Sequence, residues 1–387
     1  MKRVLSLSIL FVFLLSCQSK DEVTTEDVVK NYSTIAYSNY TDAHSHAVAL
    51  KNDISNFIDN PSQTGLSKAK QAWLLARESY GQTEAFRFYG GPIDGEDGPE
   101  GQLNAWPLDE AYIDYVSSEG SNNANIINSP EQFPEITAEF IASMNERGSE
   151  VNVSAGYHAI EFLLWGQDLS EGPGAGQRKY TDYVEGEKAT AKNADRRKKY
   201  LLETVNLLLE DLKSVMQEWE PNKQNYRAKF TSNPDQSIEK IVSGLGKLSK
   251  GELAGERMFV AYDLQSKEDE HSCFSDNTHR DIAANAKGIQ NVFLGNYESF
   301  TTDERINGPS IYDLLKQKDK TLAEEIKETI STGVVESKAI EAPFDQQIKN
   351  EAGRKQIAKT ISLFRKQGDL LAAAANKFGF KFDPTAI

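Results

Sequence analysis

Cysteine, basic charge and long apolar runs are what this sequence has least of, and each shortage excludes something. Two cysteines in 387 residues, Cys17 and Cys273, leave no disulfide framework and no cysteine-rich metal site. Beyond the first fifteen residues no apolar stretch approaches the roughly 20 residues a membrane-spanning helix needs. Lysine and arginine number 43 against 58 aspartates and glutamates, a formal charge of -15. Phosphate backbones are gripped by basic surfaces, so the balance argues against a nucleic-acid partner. No segment sustains the apolar/polar alternation of a half-buried strand. The glycine-rich stretch at 90–101 lacks the Gly-Lys-Ser/Thr ending of a phosphate loop and is acidic instead. Both common zincin patterns are missing as well, because Ala159 follows His158 and Phe162 follows Glu161. A convincing Ser/His/Asp set is also absent.

What is present begins with an address. Lys2 and Arg3 precede an apolar run too short to span a bilayer, and it ends in Leu14-Leu15-Ser16-Cys17. This resembles a bacterial lipobox, so residues 1–16 are expected to be removed, Cys17 to be acylated and 17–25 to act as a tether. The remainder would sit on a membrane rather than within it.

Helical periodicity then dominates. Helices are expected over 23–58, 66–88, 131–146, 180–218, 238–265, 283–297, 311–332 and 346–378. Gly/Pro-rich segments at 90–101 and 172–176 interrupt them, and a domain boundary is expected near 221–234. The expectation is an all-α protein with bundles at 26–220 and 234–383. The halves echo one another: 70–77 with Tyr80 and Glu84 resembles 252–257 with Tyr262 and Glu268, and 160–166 can be laid on 289–295. On that register Lys287 stands opposite His158, and Gln290 opposite Glu161. An internal duplication follows, with the His/Glu pair kept in one copy.

The chemistry concentrates at Gly156-Tyr157-His158-Ala159-Ile160-Glu161. Positions i and i+3 share a helix face, so an imidazole and a carboxylate are aimed together amid residues that favour burial. A buried carboxylate is costly without a cation, a metal or hydrogen-bond donors. Ser154 is the expected N-cap. On the 66–88 helix Trp73, Arg77, Tyr80 and Glu84 form one stripe. Arg77 and Glu84 either pair in a polar layer or face a ligand. Between 268 and 281 acidic and histidine side chains gather, among them Glu268, Asp269, His271, Asp276, His279 and Asp281.

Taken in order, Gly156-x-His158-x-x-Glu161, Arg77 to Phe88 with the following Gly-Pro-Ile-Asp, Asn104 to Asp109, and Glu268 to Asp281 resemble the imelysin family of iron-regulated lipoproteins. That family is also classed as insulin-cleaving membrane proteases. The resemblance implies two similar helical bundles, an inter-bundle cleft holding the His/Glu motif, and a role in envelope metal uptake; a peptidase is the alternative. Imidazole plus carboxylate suits iron or zinc. The expected ligands are His158 and Glu161, completed from Glu84, Glu268, Asp269, His271 and Asp276. Arg77, Tyr80, Trp106, Asp109 and Gly156 are expected around them. The expected partners are a metal ion or its chelate, the membrane through the lipid anchor, and an envelope transport component on the periplasmic or outer-membrane surface. A purely structural His/Glu pair in an interaction module is the third reading.

Overall fold

The computed structural model describes residues 22–117 and 125–387; the lipobox, with Cys17, lies outside them. α1 (Thr25–Asp59) opens on a capping box, in which Thr24 accepts from the Asp27 amide while Asp27 reaches back to Thr24. Val28, Tyr32, Ile35, Ala43, Leu50, Ile54 and Phe57 form its buried stripe. α2 (Gln63–Thr83) starts at Ser62, whose hydroxyl accepts from the Gly65 amide. The later helices are α3 (Gly156–Trp165), α4 (Ala194–Glu218), α5 (Pro234–Lys247), α6 (Thr278–Leu294), α7 (Ile311–Lys318), α8 (Lys320–Lys338) and α9 (Glu351–Phe378). Proline at the first position of α5 forfeits an amide that would have no partner there. Gly295 and Gly379, both left-handed, end α6 and α9.

Among the described residues the regular structure is almost wholly helical, as the periodicity indicated, but several boundaries differ. The fourth expected helix begins at Ala194 rather than 180, where Tyr180–Tyr183 makes only a 3-10 turn. The expected 131–146 helix shrinks to Ala138–Met144. The single pattern over 311–332 is cut at Asp319, whose side chain accepts from the Leu322 amide and so starts a new helix. α5 runs on through a π-helical stretch, Leu248–Val260, which a 3.6-residue period cannot announce. A two-stranded antiparallel ribbon, β1 (Asn296–Glu298) with β2 (Arg305–Asn307), pairs Tyr297 with Ile306. Strands this short have no readable alternation.

α1 packs on α2 and α4, and α3 lies against α4 and α2. In the second half α9 packs on α5 and α8, and α8 on α6. α2 and α6 join the two sets. A methyl added at Gly81 would come within 2.7 Å of Ala284 Cβ, and one at Gly288 within 2.4 Å of the Gln82 carbonyl oxygen. The two helices therefore nearly touch, and their polar side chains are forced into a buried layer.

Candidate functional site

α3 carries the motif and is buried from end to end. Gly156 opens it at φ +78°, and a Cβ there would meet the carbonyl oxygens of Gln102 and Leu103 at 2.5 Å. Only glycine suits a position that is both left-handed and in contact with backbone. The cap differs from expectation: Ala155 takes the N-cap position without a side-chain bond, while the Ser154 hydroxyl donates to the Ile141 carbonyl. The Trp73 indole of α2 donates to the Tyr157 carbonyl at 2.9 Å, which fixes α3 against α2.

His158 and Glu161 meet as their spacing requires, with Nδ1 and Oε2 2.8 Å apart. The other carboxyl oxygen, Oε1, accepts from the Ser275 amide at 2.9 Å and from its hydroxyl at 2.7 Å. Ser275 belongs to the 265–277 loop, so the second half of the chain reaches the motif. That loop also brings His271, whose ring centroid lies 4.7 Å from that of His158. Trp106 stands edge-on to His271 at 5.1 Å.

Asp281 on α6 holds His271. Its Oδ2 lies 2.9 Å from His271 Nδ1 and also accepts from the Ser272 hydroxyl, while Oδ1 accepts from Arg77 Nε at 3.1 Å. Burial alone would raise the Asp281 pKa, but the Arg77 guanidinium and the bonds from His271 and Ser272 hold it far below the carboxylate range. With Asp281 ionised, His271 donates from Nδ1, and Nε2 keeps its lone pair. Arg77 Nη2, 3.5 Å from the same Nδ1, is too distant to compete. Burial, then Arg257, pushes His271 well below the usual imidazole value; burial and Arg77 do the same to His158. Both rings are neutral. Burial lifts Glu161 to about 8 against the two Ser275 bonds, so near neutrality this carboxyl carries a proton that an arriving cation could displace.

The Nε2 atoms of His158 and His271 are both buried and without a partner. Both rings line one cavity of about 20 Å³, together with Trp106, Glu110, Glu270 and Cys273. This volume suits one water-sized occupant. Glu270 is buried with Oε2 unbonded, and its pKa is raised well above normal, by burial first and then by Asp345.

Beneath the cavity lies a layer of paired charge. Arg77 is ringed by Trp73, Tyr80 and Tyr157 and donates to Asn104 Oδ1 at 2.6 Å. Arg77 and Glu84 do not pair with each other. Glu84 accepts from Arg257 and Arg87, both at 2.7 Å, and from Asn104 at 3.3 Å. Glu84, expected as a ligand, is instead the counter-charge for two arginines. Glu268 lines the cavity from an exposed position, whereas Asp269 does not line it. Asp276 faces a separate groove shared with His279. Asp109 caps the short helix Glu110–Ile113 by accepting from the Ala111 amide.

Sequence reasoning missed Glu270, Ser275 and Arg257 as site residues. Arg257 had a signal, since the repeat register sets it opposite Arg77. Ser275 had none, because its role depends on a contact 114 residues away in sequence. Among the described residues no three His, Cys, Asp or Glu side chains are disposed to hold one metal ion. The protein supplies two neutral imidazoles, each backed by a carboxyl group, and leaves the remaining positions open. Acids behind metal-binding histidines fix their tautomer and raise their basicity in the same way.

The fold and this buried centre define an all-helical protein with a pair of carboxyl-backed histidines where its two helix sets meet. The chain belongs to the imelysin family, a peptidase M75 class, whose pattern matches residues 36–371. It is 22% identical over 352 residues to iron-regulated protein A of Synechococcus elongatus, covering 88% of this chain and 82% of that one. The crystal structure of an iron-regulated protein A precursor from Parabacteroides distasonis superposes with a TM-score of 0.68 at 17% identity, over 92% of this chain and 97% of the other. An imelysin-like protein from Psychrobacter arcticum gives 0.65 at 13% identity, over 93% and 98%. At those identities the two structures speak to the fold.

Proposed function

We propose that this protein is lipid-anchored at Cys17 in a bacterial envelope and binds iron, or a related cation or its chelate, between His158 and His271. A role in metal uptake is the consequence, and the name of the Synechococcus relative supports it. The carrying observation is the pair of orphaned Nε2 atoms on one small cavity. A buried imidazole nitrogen with no partner is costly, and a borderline metal ion is what two neutral imidazoles accept best. Glu161 and Asp281 orient the rings rather than ligate. Glu268, Glu110 and the buried Glu270, whose carboxyl is held toward its protonated form by burial, line the same cavity. Two protein ligands leave coordination positions for water or for the oxygen donors of a chelator.

Calorimetric titration of the full chain in detergent with Fe²⁺ and Zn²⁺ tests this, with His158→Ala and His271→Ala alongside and folding followed by circular dichroism. Each folded variant is expected to lose at least about tenfold in affinity. Heats equal to wild type in both would remove the reading. The family's peptidase class supports a second reading, in which the bound metal activates water for amide hydrolysis. It requires peptide cleavage that a chelator abolishes and added metal restores. A cavity of about 20 Å³ would have to open before a peptide could enter.

A further inference from the structure

A second concavity lies on the α2–α6 seam and shares no lining residue with the His158–His271 cavity. It has a volume of about 300 Å³, near the lower end for small-ligand sites. Four segments build it: α2 with Glu78 and Gln82, α6 with Ala283, Ala284, Lys287 and Asn291, the β1–β2 ribbon with Ser299 and Phe300, and the end of α8 with Lys338.

Its charges do not cancel. Arg280 is spent on Glu78, with two bonds of 2.7 and 2.8 Å, and the exposed Glu298 lies 3.7 Å from Arg305. Lys287, half-buried, bonds Gln290 Oε1 at 3.0 Å rather than a carboxylate. Its ammonium is held below its ordinary pKa by burial and then by Lys338, with the Glu298 carboxylate acting the other way. Two ammonium groups thus face one hollow in a protein whose net charge is -15. Asn291 is only 3% exposed; its Nδ2 donates to Gln82 Oε1 at 2.7 Å, and its Oδ1 has no partner. A buried amide oxygen without a donor calls for one from whatever occupies the space. The floor at Ala283 and Ala284 and the half-exposed Phe300 ring offer apolar contact.

We propose that this concavity is a binding site for a small hydroxycarboxylate: a carboxylate held by Lys287 and Lys338, with a hydroxyl donated to Asn291 Oδ1. The volume fits an acid of roughly four to six carbons. The site is independent of the cation centre and makes no use of its residues.

Calorimetric titration of the full chain with malate and citrate, and with succinate and tricarballylate as their counterparts lacking the hydroxyl, tests the proposal. The hydroxy acids are expected to bind at least about tenfold more tightly than those counterparts, because the unpaired Asn291 oxygen penalises an occupant without a donor. Lys287→Met is expected to weaken malate about tenfold or more, and the exposed Lys338→Met, which has little packing to lose, in the same direction. Asn291→Leu should erase the malate-over-succinate preference. His158→Ala, which disables the cation centre, should leave malate binding unchanged. Absence of binding by both hydroxy acids overturns the proposal, as do hydroxy and non-hydroxy acids of equal affinity, or wild-type malate affinity in both lysine variants.

Discussion

Neutralising Glu84 puts the buried charge layer to a quantitative test. Glu84 sits at the end of α2 with Arg257 and Arg87 each 2.7 Å from Oε2, and it is buried. Burial works against its ionisation, yet Arg257 and then Arg87 outweigh it and bring the carboxyl from 4.5 to about 2. The folded pKa is depressed, so its contribution to stability is present above the unfolded value near 4.5 and is lost as pH falls through about 2. That displacement corresponds to about 3 kcal/mol at pH 7. Breaking a buried ion pair by removing one partner costs about 3–5 kcal/mol, which agrees. Glu84→Gln keeps the shape and removes the charge. Arg257 retains Glu252 at 2.8 Å and Arg87 retains Glu100 at 2.9 Å, so the loss should lie toward the lower figure. Urea denaturation of wild type and variant at pH 7 and again near pH 2.5 provides the measurement. The gap is expected to be about 3 kcal/mol at pH 7 and to narrow toward acid. A gap below about 1 kcal/mol at pH 7, or one that does not depend on pH, would refute the assignment of Glu84 as an indispensable counter-charge.

Two further outcomes are expected. Gly156→Ala forces a Cβ onto two carbonyl oxygens at a left-handed residue, so it should destabilise the fold by at least about 2 kcal/mol, read as a lower urea midpoint. Cation affinity at the His158–His271 centre should rise with pH and level off above about 8, because the cation competes with the Glu161 proton. Below that point it should fall by up to about tenfold per pH unit, and calorimetry in buffers of different ionisation enthalpy should reveal a released proton.

Much of this was legible without coordinates. Periodicity marked the protein as all-helical, because a buried stripe repeating every 3.6 residues is a local property of the chain. The adjacency of His158 and Glu161 followed from spacing alone, and so did the placement of Trp73, Arg77 and Tyr80 on one face. Helix ends set by side-chain caps were less legible, as at Asp319, where one apolar pattern continues through a break. The π-helical stretch at Leu248–Val260 and the short β1–β2 ribbon were hidden, since neither repeats long enough to leave a pattern.

By itself the sequence determined that His158 and Glu161 meet, because i and i+3 share a face on any helix. Tertiary structure alone decided their roles. It turned Glu161 toward Ser275 and His158, so that the acid stands behind the ring rather than before the cavity. It set His271 of a distant loop face-to-edge with His158, and it gave Glu84 to two arginines instead of a ligand. The reason is physical: which oxygen of a buried carboxyl is free depends on donors brought from more than a hundred residues away, and no local spacing encodes them.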